Sequence, residues 1–163
     1  MTYYIYTDGS TRNNGYANSI GAWGYVIVLE DIQNIGQNVG VVRDTTNQQM
    51  ELEACARACE HAALAIQPFD EVKIITDSAY IHNCCNQKWY EKWQNNGWLN
   101  SRKEPVANRE KWERLIPFFD NAQFQFIKTK GHSVDKWNCY VDRLVQNATL
   151  KEKENDRNNN SGI

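Results

Sequence analysis

Four carboxylates stand where apolar runs end or helical stretches begin. Asp8 closes the run Tyr3-Tyr4-Ile5-Tyr6-Thr7, and Asp77 closes Val72-Lys73-Ile74-Ile75-Thr76. Glu51 opens an alanine- and cysteine-rich stretch, and Asp142 lies early in the stretch ending Leu144-Val145-Gln146-Asn147-Ala148. Two strand ends and two helix starts can converge at one edge of a sheet. Converging carboxylates repel one another, so they persist around bound cations or with some of them protonated. A metal site is the leading reading.

Each acid has an ordinary alternative. Asp77 before Ser78 could cap a helix. Glu51 and Asp142 could complement helix dipoles, and Asp8 before Gly9 could be a turn residue. These alternatives serve singly and leave the joint placement a coincidence. Hard cations such as Mg²⁺ take carboxylate oxygens and keep positions for water and phosphate. Two ions about 3.5–4 Å apart can activate a water and stabilise a leaving oxygen in phosphodiester cleavage. No GxSxG and no GxxxxGK[ST] occurs, so metal-assisted hydrolysis is favoured over a serine nucleophile or a P-loop. His132, in the loop Lys130-Gly131-His132-Ser133, could move protons near neutral pH or be a plain surface histidine.

The elements that must place these residues follow from pattern. Strands are expected at 2–7, 22–29, 39–43, 72–76 and 123–129, with a long Gly- and Asn-rich loop from Gly9 to Gly21. Asn34-Ile35-Gly36 signals the turn of a hairpin. Apolar spacing from Leu52 to Ile66 predicts a helix over 47–66, with Thr46 and Gln49 as its capping box. Further helices are expected at 78–86, 108–119 and 138–150. The polar tail 151–163 is expected to be disordered beyond a domain at 1–150. A meander followed by alternating strands and helices describes a mixed α/β sheet covered on both faces.

At 163 residues, 41% hydrophobic, with six Trp, eight Tyr and five Phe, the chain suits one packed domain. No run reaches membrane-spanning length, so a soluble, cytoplasmic monomer is expected. Five cysteines without a CxxC pair read as core or surface thiols in a reducing compartment. Net charge is −2, which provides no global basic footprint. Lys88 to Arg114 nonetheless carries seven Lys or Arg against four Asp or Glu, enough to track a phosphate backbone or simply form a solvated face.

The run Thr7-Asp8-Gly9-Ser10, then Thr45-Thr46-Asn47-Gln48-Gln49-Met50-Glu51-Leu52, then Thr76-Asp77-Ser78 resembles type 1 ribonuclease H. So do Lys130-Gly131-His132-Ser133 and the ending Asn138…Asp142, across residues 2–149. The resemblance implies a ribonuclease H-like sheet of order 3-2-1-4-5. It implies a two-metal site of Asp8, Glu51, Asp77 and Asp142, holding Mg²⁺ with Mn²⁺ as a substitute, and His132 as the loop histidine. The implied reaction is endonucleolytic cutting of the RNA strand of an RNA/DNA hybrid, leaving 5′-phosphates. Asn14, Asn47 and Gln48 would face the 2′-hydroxyls, which suit amides that both donate and accept. Thr46 and Asn108 would hold a phosphate of the DNA strand. Trp89, Trp93 and Trp98, with Lys88, Lys92, Arg102 and Lys103, resemble the basic protrusion that grips that strand, although Trp98 also fits a local core.

Some positions depart from the family pattern. Asp44 replaces a basic residue that some relatives place in the phosphate pocket, with Arg43 one position away as a substitute. Cys139 replaces an acid after the asparagine of the last motif. An exonuclease of the same fold would carry Asp-x-Glu in the first strand, where this chain has Asp8-Gly9-Ser10. A non-catalytic nucleic-acid-binding module would have lost a carboxylate, and none is lost.

Overall fold

The computed structural model describes residues 1–13, 16–129 and 136–161, with side chains as far as 159. Asn14 and His132 therefore lie outside the described residues. The five strands are β1 (Thr2–Arg12), β2 (Ile20–Leu29), β3 (Gln33–Arg43), β4 (Glu71–Thr76) and β5 (Phe124–Lys128). They form one sheet of order β3-β2-β1-β4-β5, as expected. β1, β2 and β3 pair antiparallel, and β4 and β5 join parallel through helical crossovers. The helices are α1 (Asn47–Ala65), α2 (Ala79–Asn86), α3 (Trp89–Asn96), α4 (Arg109–Phe119) and α5 (Lys136–Ser161).

Alternation along the strands divides the core in two. Ile5, Ile27 and Ile74 pack with the buried residues of α1 and with Trp112 and Leu115 of α4. Their neighbours Tyr6, Val26, Val28 and Ile75 pack on the opposite face with Trp137 and Val141 of α5. Cys55, Cys59 and Cys84 are free, buried thiols of the first core, in line with their reading as small core residues. Among the described residues no helix is long and apolar enough to cross a membrane.

The first hairpin differs from expectation. β1 runs on to Arg12 and β2 begins at Ile20, so half of the expected loop is strand. The β2–β3 hairpin turns at Glu30 and Asp31, both at positive φ (52° and 60°), rather than at Asn34-Ile35-Gly36. Ile35 is instead an extra residue in β3, because Ile27 pairs with Gly36 and Val28 with Asn34. Tertiary contacts hold the turn in place. Tyr6 Oη donates to Asp31 Oδ1 at 2.6 Å, Trp137 Nε1 donates to the Asp31 carbonyl at 3.3 Å, and Thr2 N donates to Glu30 Oε1 at 2.8 Å.

The tail corrects a second expectation: residues 151–161 continue α5 rather than forming disordered chain. Arg43 at the end of β3 grips Asp156 with two nitrogens, at 2.9 and 2.7 Å, and Glu152 at 2.7 Å. Local composition opposes order in this stretch, and a charge pairing over a hundred residues away offsets that. The same pairing engages Arg43 with α5. Asp44 is likewise structural, since its Oδ1 accepts from Asn18 N at 2.8 Å.

Candidate active site

Register sets Asp8 beside Asp77. The last parallel pair of β1 and β4 is Tyr6 with Ile75, and β4 ends one residue later while β1 continues. Two residues beyond that pair on each strand lie Asp8 and Asp77, on neighbouring strands about 4.8 Å apart by sheet geometry. Alternation assigns Asp8 to the face covered by α5, since Thr7 before it touches Cys55 of α1. There Asp8 faces Asp142, which follows the core residue Val141 of α5 and acts on the Asp8 carboxyl.

Glu51 arrives from α1. Thr46 caps that helix as expected: Gln49 N donates to Thr46 Oγ1 and Thr46 N donates to Gln49 Oε1, both at 3.2 Å. A Cβ on Gly9 would overlap the backbone of Met50 and Glu51. Glycine beside Asp8 is thus what lets the early turns of α1 lie against β1. Gly9→Ala is expected to cost about 1–3 kcal/mol by overpacking and to push Glu51 away from Asp8. Chemical denaturation together with turnover measures both effects, and an alanine variant with unchanged stability and activity would refute the close approach.

Asp77 is not a cap. Ser78 has that role, accepting from Ile81 N at 3.2 Å, and its hydroxyl lies near enough to Glu51 to favour that carboxylate's charged form. Asp77 is left exposed at the strand tip. Ser78 therefore links α2 to the Glu51 carboxylate, a supporting role that its capping position alone did not reveal.

The electrostatics match acids brought together without a partner. Burial, then Asp77 and Asp142, push the Asp8 carboxyl up to about 8. Burial and Asp77 push Glu51 up to about 7, against the hydrogen bond from Ser78. Asp77 is raised too, by desolvation and by Asp142. No Lys or Arg among the described residues contributes to any of these shifts. Among the described residues, no three of these side chains are close enough to chelate one ion as they stand. The donor set is all carboxylate oxygen, from the partly buried Asp8 and Glu51 to the exposed Asp77 and Asp142, and that fits a hard divalent cation.

Of the residues expected to meet a nucleic acid, Thr46, Asn47 and Gln48 lie together at the start of α1. Asn47 Oδ1 ties this corner to β1 by accepting from Thr11 N at 2.8 Å and Thr11 Oγ1 at 2.6 Å. Asn108 sits at positive φ (62°) ahead of α4, with its side chain making no cap bond.

The tryptophans separate. Trp93 is only 6% exposed and packs against Trp98 and Trp112, with ring centroids 5.8 and 5.5 Å apart. It was expected to contact the hybrid and is mainly core, as is Trp98; the helical spacing that buries it showed only once α4 was in place. Trp89 is half-buried at the rim of a cleft of about 450 Å³, which is also lined by Tyr80, Lys92, an edge of Trp93, Asn96, Leu99, Asn100 and Ser101. The residues other than Trp89, Lys92 and Trp93 were not anticipated, because the cleft joins α2, α3 and the following loop. Much of the local positive surplus is spent internally: Arg109 pairs with Glu113, Arg114 with Glu53 and Glu60, and Lys111 with Glu53. Among the described residues Lys92, Arg102 and Lys103 form no ion pair.

Residues 1–150 match the family model described as RNase H. The chain is 40% identical to a ribonuclease H of Clostridium botulinum over 144 residues, covering 88% of this chain and 93% of the relative. It is 41% identical to one of Syntrophomonas wolfei over 145 residues, with the same coverage of each chain, 88% and 93%. The chain belongs to the RNase H family. Its fold agrees with solved RNase H structures. The PFV RNase H domain superposes with a TM-score of 0.75 at 24% identity, over 91% of this chain and 94% of that one. An RNase H1 isolated from compost, solved with an RNA/DNA hybrid, gives 0.67 at 24% identity over 92% and 98%.

Proposed function

We propose that this RNase H family member hydrolyses the RNA strand of RNA/DNA hybrids as an endonuclease, with two divalent ions, Mg²⁺ or Mn²⁺, held by Asp8, Glu51, Asp77 and Asp142. The observation that carries the reading is the meeting of Asp8, Asp77, Asp142 and Glu51 at one sheet edge, with no cation among the described residues acting on them. Bound there, the metal would supply activation of the attacking water and stabilisation of the leaving oxygen. The chain's own residues bind and orient the duplex.

At the start of α1, Thr46 uses its lone pairs on Gln49 N, which leaves its hydroxyl proton for a phosphate oxygen beside the helix N-terminus. Asn108 holds the same DNA strand. Asn47 and Gln48, with Asn14, face the 2′-hydroxyls that distinguish RNA from DNA. Trp89 and Lys92 at the cleft rim offer a ring face and a cation to the DNA backbone. His132 would move protons near the reacting phosphate. The free thiols suit a reducing cytoplasm.

Cleavage of a hybrid labelled on either strand, with Mg²⁺ and with chelator, tests the reading. Internal cuts confined to the RNA strand and abolished by chelator are expected. Stepwise trimming from an end would indicate an exonuclease, and binding without cutting would indicate a non-catalytic module. His132→Ala is expected to lower turnover by ~10²-fold or less and to leave hybrid affinity nearly unchanged. A loss as complete as that from removing a carboxylate would assign His132 to the metal site.

A further inference from the structure

Glu53, two residues after Glu51, is an acid where the rest of the buried face of α1 is apolar. It is 8% exposed and has three cations around it. Arg114 Nη1 lies 2.5 Å and Lys111 Nζ 3.7 Å from its Oε2, and Arg57 Nε lies 3.5 Å from its Oε1. Two of the three come from α4. Arg114 extends the bridge by pairing with Glu60 at 2.6 Å, two turns further along the same face of α1. A buried ion cluster is seldom more stabilising than apolar packing, but its direction-dependent bonds specify one seating of two helices.

That seating reaches the start of α4 within a turn. Lys111 N and Trp112 N donate to the Asn108 carbonyl at 3.0 and 3.1 Å. Displacing Lys111 along α1 therefore displaces Asn108. The start of α1 carries Thr46, so the register of α4 on α1 sets the span between the two residues assigned above to a DNA-strand phosphate. We infer that Glu53 is a positioning residue for hybrid binding, acting through Lys111 and Arg114 on Asn108. The inference rests on the functional reading above.

Electrostatics alone would give the opposite sign, which makes a test decisive. Glu53→Gln removes a negative charge and frees three cations, so a purely coulombic effect tightens binding of a polyanion. Loss of positioning weakens it. We expect Glu53→Gln, assayed below its melting temperature, to raise KM about tenfold with kcat within about twofold, and to add nothing in an Asn108→Ala background. Arg114→Gln, which leaves Glu53 balanced by Lys111 and Arg57, should behave likewise in the same cycle and serves if Glu53→Gln does not fold. An unchanged or lower KM, or an increase that adds in full to that of Asn108→Ala, would overturn the inference alone. An Asn108→Ala variant that matches the parent in KM would overturn the assignment of Asn108, and the inference with it. A parent chain that cuts no hybrid would overturn the functional reading itself.

Discussion

Asp8→Asn is expected to abolish hybrid cleavage, by ~10³-fold or more, which is about 4 kcal/mol of transition-state stabilisation. The amide preserves shape and removes charge at the acid that Asp77 and Asp142 both face. The same substitution should stabilise the metal-free fold, and only at one end of the pH scale. The Asp8 carboxyl stands at about 8 in the folded chain against an ordinary value of 3.8, so the folded state holds this proton more tightly than the unfolded state. Its contribution to stability is complete below about pH 4 and is lost as pH rises through about 8. Glu51, raised to about 7, acts in the same direction. In chelator, the parent's melting temperature should therefore fall between pH 4 and pH 8 by more than that of Asp8→Asn. The variant should melt higher at pH 8, with the two nearly alike at pH 4. Mg²⁺ should narrow the gap at pH 8 by binding the parent's folded state. Activity retained in Asp8→Asn would refute the carboxylate site, and parallel melting curves would refute the proton held at Asp8.

Trp93→Ala should cost about 3–5 kcal/mol of stability, the range for deleting a buried tryptophan. Its ring meets Trp89, Trp98 and Trp112, and Trp112 is itself fully buried. Lys92, one residue earlier on the same helix, is exposed and outside any ion pair among the described residues. Lys92→Ala should leave stability nearly unchanged, raise KM with kcat preserved, and lower the salt dependence of binding by about one phosphate contact. Urea unfolding of both variants and a KM series across salt read out the two effects. A Trp93→Ala variant of parental stability but raised KM would reverse the assignment and make the ring a hybrid contact.

Much of the site was legible in the chain because local rules produce it. Asp77 follows the end of β4, Asp8 ends an apolar run although β1 continues past it to Arg12, and the capping box Thr46–Gln49 starts α1 where the pattern predicts. The meander followed by strand-helix alternation predicted a mixed sheet, and the resemblance to ribonuclease H implied the order in which its strands lie. Period-2 alternation and helix capping act within a few residues, so the sequence displays them directly. Other features depend on partners distant in the chain. The Glu30–Asp31 turn is held by Tyr6 and Trp137, and it overrode the nearer turn signal at Asn34-Ile35-Gly36. The tail 151–161 is helical while Arg43 binds Glu152 and Asp156, although its own composition argues for disorder. Trp89 and Trp93 look alike in sequence, and only the arrival of α4 with Trp112 buries the second and leaves the first at a cleft. The elevated carboxyls of Asp8 and Glu51 are tertiary as well. Each is an ordinary acid by sequence, and the fold shifts it by desolvation and by charges that only the sheet edge brings within reach.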